Sequence, residues 1–284
     1  MNKSPFFLLI LSLASCAQPG PLKAMADLPG QLAENSGMVS TSPNTLWVIE
    51  DSGNKDHLYL LDLKGNILRD IKIKNAKNRD WEDLTKDDKG HIYIADTGNN
   101  DQDRKNLVIY KVTNPTTTKG NELIAQKIKF QYPDQKRFPP KKNNLQFDSE
   151  ALFWHEGKLF IIIKNRSRPF DGTAKVYSLP DKVGGHTASL IGTLPLCSDY
   201  GTCRITAAAI SPKGTLALLG YGKLWVARNF DPNTIANLHL TEIDLQIRTQ
   251  LEALCFLDEH TLLLSDERSR GNGGNLYELK LPQN

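Results

Sequence analysis

The chain has 284 residues, of which 35 are basic and 32 acidic, for a formal net charge of +3. So even a balance gives no support for nucleic-acid binding, which needs a strongly basic face. The length suits one large all-β domain or two small ones.

Lys3 is the single charge among the first fifteen residues, and Phe6 to Ala14 (FFLLILSLA) is an apolar run. The run is too short to span a bilayer as a helix but suits the core of a signal peptide. Leu13-Ala14-Ser15-Cys16 resembles a bacterial lipobox, in which the cysteine receives lipid and becomes the first mature residue. The alternative is an ordinary cleaved signal in which Cys16 is incidental. Ala17 and Gln18 follow. With no acidic residue at the second mature position, the resemblance implies an outer-membrane anchor facing the periplasm. No later segment is apolar enough to span, so lipid on Cys16 is the expected contact with the bilayer. The expected organisation is a signal peptide over residues 1–15, a lipidated tether over 16–21 and a single domain over 22–284.

Long helical periodicity is almost absent beyond the tether. Short β-rich runs recur between Gly, Asn, Asp and Pro. Five segments align: NSGMVSTSPNTLWVIEDSG from Asn35, WEDLTKDDKGHIYIADTG from Trp81, SEALFWHEGKLFIIIKNR from Ser149, ITAAAISPKGTLALLGYG from Ile205 and LEALCFLDEHTLLLSDER from Leu251. Each is an apolar strand, a polar turn and a second apolar strand. Third strands follow (HLYLLDL, LVIYKV, KVYSLP, KLWVAR, NLYELKL), and fourth strands follow the first four (ILRDIKI, AQKIKFQY, ASLIGTL, LHLTEIDL). With Ser36, Glu82, Glu150, Thr206 and Glu252 as equivalent positions, the spacings are 46, 68, 56 and 46 residues. Four strands per unit at that period predict an all-β propeller of five four-stranded blades. A six-bladed ring with one degenerate blade and a β-sandwich are the alternatives. The loop PDQKRFPPKKNNLQ accounts for the long second unit. Its basic stretch from Lys136 reads as a solvated loop, or as a contact for anionic lipid head groups. The last unit lacks a fourth strand, which residues around Leu22 to Ala33 are expected to supply, closing the ring.

Cys197 and Cys203 flank the polar turn LCSDYGTCR and suit a short disulfide in an oxidising compartment; two unpaired loop thiols are the alternative. Cys255 lies in an apolar strand pattern and reads as a buried free thiol.

The first strand of each propeller blade lines the central channel, so Ser36, Glu82, Glu150, Thr206 and Glu252 are expected to form a ring about the axis. Three carboxylates crowded into a channel repel, which favours protonation or a bound cation. An oxygen-only set suits a hard ion, and Ca²⁺ on the axis is the expected cofactor. The alternative is a metal-free polar plug. Glu34, Asp80, Asp148, Arg204 and Gln250 stand two residues earlier, and Arg204 offers a counter-charge. The ends of the second strands and the turns beside them bring Asp51, Asp96, Asn99, Lys164, Arg166, Tyr221, Asp266 and Arg268 towards the same mouth, a candidate pocket for a small polar ligand or a protein partner. Asp, Asn and Gly are also what turns require.

The stretches DWEDLTKDDKGHIYIADTGNN, FDSEALF with KLFIIIKNR, and LEALCFLDEHTLLLSDER resemble uncharacterised bacterial exported propellers of the SdiA-regulated type, over most of the mature chain. The order Ser, Glu, Glu, Thr, Glu at the channel positions is similar to that of calcium-activated nucleotidases (apyrases), which are five-bladed with calcium on the axis. That likeness implies Ser36, Glu82, Glu150, Thr206 and Glu252 as metal ligands, with Thr206 departing from a second serine. It places no catalytic residues, and no serine-hydrolase elbow, phosphate-binding loop or H-E-x-x-H site occurs. Asn99, Asp101 and Asp103 imitate the start of an EF-hand loop, but Arg104 stands where glycine is needed. Two readings follow: a lipid-tethered binding module, or a calcium-dependent hydrolase of phosphate esters, anhydrides or lactones.

Overall fold

The apolar runs of the repeats are strands buried on both faces. In Leu46-Trp47-Val48-Ile49 all four side chains are buried. Leu46 and Val48 pack to one side, Trp47 and Ile49 to the other, as the alternation of a strand requires. A computed structural model describes residues 21–282. The candidate signal segment and Cys16 lie outside that range. Among the described residues no helix is long and apolar enough to cross a membrane.

The chain enters through β1 (Lys23–Asp27). Blade 1 follows with β2 (Asn35–Ser42), β3 (Thr45–Glu50), β4 (His57–Asp62) and β5 (Ile67–Lys74). Blade 2 holds β6 (Trp81–Lys86), β7 (Ile92–Asp96) and β8 (Val108–Val112); after a short β9 (Glu122–Ile124) it is completed by β10 (Gln126–Gln131). Blade 3 holds β11 (Ser149–His155), β12 (Lys158–Ile163) and β13 (Thr173–Pro180), and after β14 (Gly184–Thr187) ends with β15 (Ser189–Pro195). Blade 4 is β16 (Ile205–Ile210), β17 (Leu216–Gly220), β18 (Lys223–Ala227) and β19 (Thr241–Asp244). Blade 5 is β20 (Leu251–Phe256), β21 (Thr261–Asp266) and β22 (Asn275–Lys280). Its outer strand is β1, antiparallel to β22 with Lys23 opposite Glu278 and Asp27 opposite Asn275. The N-terminal strand thus closes the ring, as the missing fourth strand of the last repeat predicts.

Five apolar clusters fill the five gaps between neighbouring blades, and β2, β6, β11, β16 and β20 stand side by side around the axis. The chain is therefore a five-bladed β-propeller. Gly37 explains part of the tight approach at the centre, because a Cβ there would sit 2.8 Å from the backbone of Asp83 and Leu84.

Two blades carry a fifth strand that the repeat does not announce. β9 runs parallel to β5 on blade 1, and β14 parallel to β10 on blade 2. The long connections in blades 2 and 3 brush the outer edge of the preceding blade and cover backbone groups left open there. ELI is too short, and GGHT too glycine-rich, to read as a strand. The loop over residues 132–148 is exposed at its basic tip and anchored at its base. Gln135 Nε2 donates to Gln102 O at 2.8 Å and Tyr177 Oη to Asp134 Oδ1 at 2.9 Å. Cys197 and Cys203 form a disulfide with Cα atoms 5.5 Å apart, and Cys255 is a buried free thiol that burial pushes up to about 12.

Asp83 pins the centre. Fully buried on β6, it accepts from its neighbour Leu84 N at 2.7 Å, from Leu152 N of blade 3 at 2.8 Å and from Ala208 N of blade 4 at 3.3 Å. Burial nevertheless raises its pKa well above the ordinary range against those three donors. Asp83→Ala would leave buried N–H groups of three blades without an acceptor, a loss of about 3 kcal/mol. Denaturant unfolding measures this, and a midpoint matching the parent protein would show that the pin carries no load.

Candidate functional site

The side chains at the channel mouth are aimed by a backbone irregularity repeated in every blade. The ladder between first and second strands slips by one residue between Asn35 and Gly37, Trp81 and Asp83, Ser149 and Ala151, Ile205 and Ala207, and Leu251 and Ala253. The extra residue is Ser36, Glu82, Glu150, Thr206 and Glu252 in turn. A bulge leaves its residue unpaired and re-aims the side chain, so the aligned positions are also equivalent in backbone conformation. All five are buried.

They do not share one ligand role. Ser36 Oγ donates to Glu82 O and Thr206 Oγ1 to Leu251 O, each at 2.7 Å, tying one blade to the next. Glu252 Oε1 accepts from Tyr221 Oη at 2.6 Å and lies 3.9 Å from Lys164 Nζ. Lys164 Nζ also donates to Glu150 Oε2 at 2.9 Å and to Tyr221 Oη at 3.0 Å. The place between Glu150 and Glu252 is thus taken by an ammonium. Burial works against that ammonium, but Glu150 and Glu252 outweigh it and hold the Lys164 pKa well above its usual value. Arg166 adds a second charge, through Nε on Asp148 and through Nη2 on Glu150 Oε1 at 3.1 Å. Arg204, the counter-charge suggested by the sequence, instead lies over the Tyr200 ring, 4.2 Å from its centroid, and donates to Tyr200 O.

Two carboxylate groups come close enough to share a cation. One oxygen from each of Asp51, Asp80 and Glu82 lies within 4.8 Å of the others, and the same holds for Glu82, Asp148 and Glu150. Oxygens on opposite sides of a calcium ion stand roughly 5 Å apart, so both sets have the reach. The second set is neutralised by Lys164 and Arg166. The first makes no ion pair among the described residues, Lys164 acting on Asp51 and Arg104 on Asp80 only at longer range, and no side chain or backbone N–H there donates to the Glu82 carboxylate. Burial, then Glu150, Asp51, Asp80 and Asp148, push the pKa of Glu82 well up. Burial, then Asp51 and Asp148, bring Asp80 to about 7, and Asp51 is raised by burial first. Gly98 permits the arrangement, because a Cβ there would overlap Glu82 Oε1 and the Asp80 carboxylate.

The strand-end residues divide by register. Asp51 N donates to Glu34 O, Thr97 N to Asp80 O, Lys164 N to Asp148 O and Glu267 N to Gln250 O. These residues, with Tyr221 after Gly220, form one equivalent set around the mouth. Asp96 and Asp266 sit one residue earlier, so their side chains turn into the gaps between blades. Asp96 takes Arg104 Nη2 at 2.9 Å; Asp266 takes Asn275 N at 2.8 Å and Tyr277 Oη at 2.9 Å. Asn99 is buried, receiving Arg104 N and donating to Asp148 and Phe147 O. Arg268 holds β1 through Asp27 and Leu28 O. Of the predicted pocket residues, the structure brings Asp51, Lys164, Arg166 and Tyr221 together at the mouth. It places Asp96, Asn99, Asp266 and Arg268 in the framework. Thr97 and Gly98 belong to the mouth and were missed, whereas Glu267 stands there as its place beside the last second strand suggests; a constant offset from the bulge residue would have found Thr97.

No protein-family model matches the chain, and no curated protein matches it in sequence. The fold is similar to that of the PQQ-bound aldose sugar dehydrogenase from Streptomyces coelicolor, with 11% identity and a TM-score of 0.54, over 92% of this chain and 98% of that one. A virginiamycin B lyase from Staphylococcus aureus is 14% identical over 90% of this chain and 69% of that one, with a TM-score of 0.43. A protein of unknown function from Bacteroides thetaiotaomicron is 8% identical over 91% and 75%, with a TM-score of 0.48. At such identities the likeness is one of fold.

The buried acids give the fold a definite pH response. Burial leads in raising Glu50 and Asp80 to about 7, Asp148 to about 6 and Glu267 to about 8. These groups hold protons in the folded chain at pH values where the unfolded chain has released them. In chelator, stability should therefore fall as pH rises from about 4.5 to 8. Below that window the lowered carboxyls, among them Asp62, Asp87 and Asp258, lose their own contribution as they protonate. Thermal unfolding across pH 4 to 8 reads this, and a Tm that climbs steadily to pH 8 contradicts it.

Proposed function

We propose that the chain is an exported, lipid-tethered β-propeller whose mouth holds a calcium ion on Asp51, Asp80 and Glu82 and presents it to a polar ligand. The observation that carries the reading is Glu82: 5% exposed, among like charges, with no donor among the described residues. Leaving a carboxylate so placed without a counter-charge costs several kcal/mol, and a proton or a divalent cation relieves it. Carboxylates alone favour a hard ion over zinc or copper. Of the five channel positions whose order is similar to that of calcium-activated nucleotidases, Glu82 alone joins this set, and the ion lies off the axis towards blades 1 and 2. Lys164 cannot act as a base while its neighbours hold it charged, and no nucleophile–base pair stands among the described mouth residues. Binding is therefore favoured over hydrolysis. The run FFLLILSLA followed by Cys16 supports the tether and the cell envelope, at the outer membrane facing the periplasm.

Calorimetric titration of chelator-treated protein with CaCl₂ at pH 7.5 tests the ion. Glu82→Gln is expected to weaken binding at least about tenfold, equivalent to about 1.4 kcal/mol. Gly98→Ala, which adds bulk without changing charge, should do the same, whereas Glu252→Gln should leave the affinity nearly unchanged. Equal affinity in Glu82→Gln and the parent protein, or loss confined to Glu252→Gln, would overturn the assignment.

A further inference from the structure

The last residue of each second strand faces the gap between blades, opposite a residue of the third strand two ladder steps back. In three blades this pair is a carboxylate and a tyrosine. Asp266 and Tyr277 in blade 5 are joined at 2.9 Å. Asp96 and Tyr110 in blade 2 stand 3.5 Å apart, with Arg104 on the other carboxylate oxygen. In blade 1 the equivalents are Glu50 and Tyr59, the latter opposite Val48, and the lock is not made. The Tyr59 hydroxyl is buried and makes no hydrogen bond within 3.5 Å among the described residues, although the Gln31 side chain stands beside it. Glu50 is 6% exposed, and no described side chain donates to its carboxylate or forms an ion pair with it; the Glu34 backbone amide faces it.

Both side chains line a groove of about 890 Å³ at the junction of blades 5 and 1. Lys55 and Lys72 stand at its rim, are exposed, and have no ion-pair partner among the described residues, whereas Lys77 lies 3.7 Å from Asp56. The groove thus offers inside it a buried carboxylate that no side chain pairs within ion-pair distance, with Lys55 acting on it only from the rim, and a phenolic oxygen.

We propose that this groove is a binding site for a small zwitterion, an amino acid or short peptide, with its ammonium group against Glu50 and Tyr59 and its carboxylate towards Lys55 and Lys72. A desolvated carboxylate is relieved most by a donor that is also charged, and charge-assisted hydrogen bonds are the strong ones. A neutral polyol would satisfy the hydrogen bonds and leave the charge. A dianion would meet Glu50 and Glu34.

Titration of the full chain with L-alanyl-L-alanine should give a dissociation constant below about 1 mM. The N-acetylated dipeptide, which lacks the ammonium, should bind at least about tenfold more weakly. Glu50→Gln is expected to reproduce that loss and Tyr59→Phe to weaken binding about threefold. Glu82→Gln should leave dipeptide binding unchanged, so this site and the calcium reading fail separately. Equal binding of the acetylated and free dipeptides, preference for glucose over the dipeptide, or no binding of either at millimolar concentration would overturn the proposal. The ligand comparison stands even if Glu50→Gln fails to fold.

Discussion

Five innermost strands meet around one axis, and each carries a single extra residue at the mouth. That bulge is the constraint on which the rest depends. It fixes the register of every first strand against its second and sets which side chains turn to the channel. It also permits Glu82, Glu150 and Glu252, far apart in the chain, to crowd into one small volume. The pleat of a regular strand would carry successive side chains alternately to opposite faces. The bulge breaks the alternation at a single point in each blade.

The crowding has an electrostatic consequence that splits the mouth in two. On the side of blades 3 to 5, Lys164 and Arg166 reach in from the end of β12 and neutralise Asp148, Glu150 and Glu252. On the side of blades 1 and 2, Asp51, Asp80 and Glu82 face one another with no ion pair among the described residues. Desolvated like charges are tolerated only where something offsets them, a proton or the proposed ion. Glu50 repeats the situation on a smaller scale in the neighbouring gap, where blades 2 and 5 close the same contact internally.

Much of the architecture was legible in the sequence because the strands are buried on both faces. Continuous apolar runs such as KLFIII and LEALCF between polar turns leave few other assignments, and the absent fourth strand of the last repeat pointed to β1. The aligned Ser36, Glu82, Glu150, Thr206 and Glu252 were legible for the same reason. What the alignment could not supply was register at the strand ends. Asp96 and Asp266 are aspartates beside turns, and one residue decides whether such a group faces the channel or a blade gap. The role of Lys164 was also hidden. A lysine at the end of an apolar strand reads as solvated, and only the convergence of three blades reveals that it spans from Glu150 towards Glu252. β9 and β14 escaped because backbone pairing along an edge asks little of the side chains that provide it.

The direction of β1 bears on how the molecule is presented. β1 runs antiparallel to β22, so Asp27 lies at the end of blade 5 near the mouth and Lys23 towards the opposite end. A fastening made through the chain preceding Lys23 would hold the propeller by its underside. The acidic opening and the Glu50 groove would then look away from the supporting surface, open to whatever diffuses past.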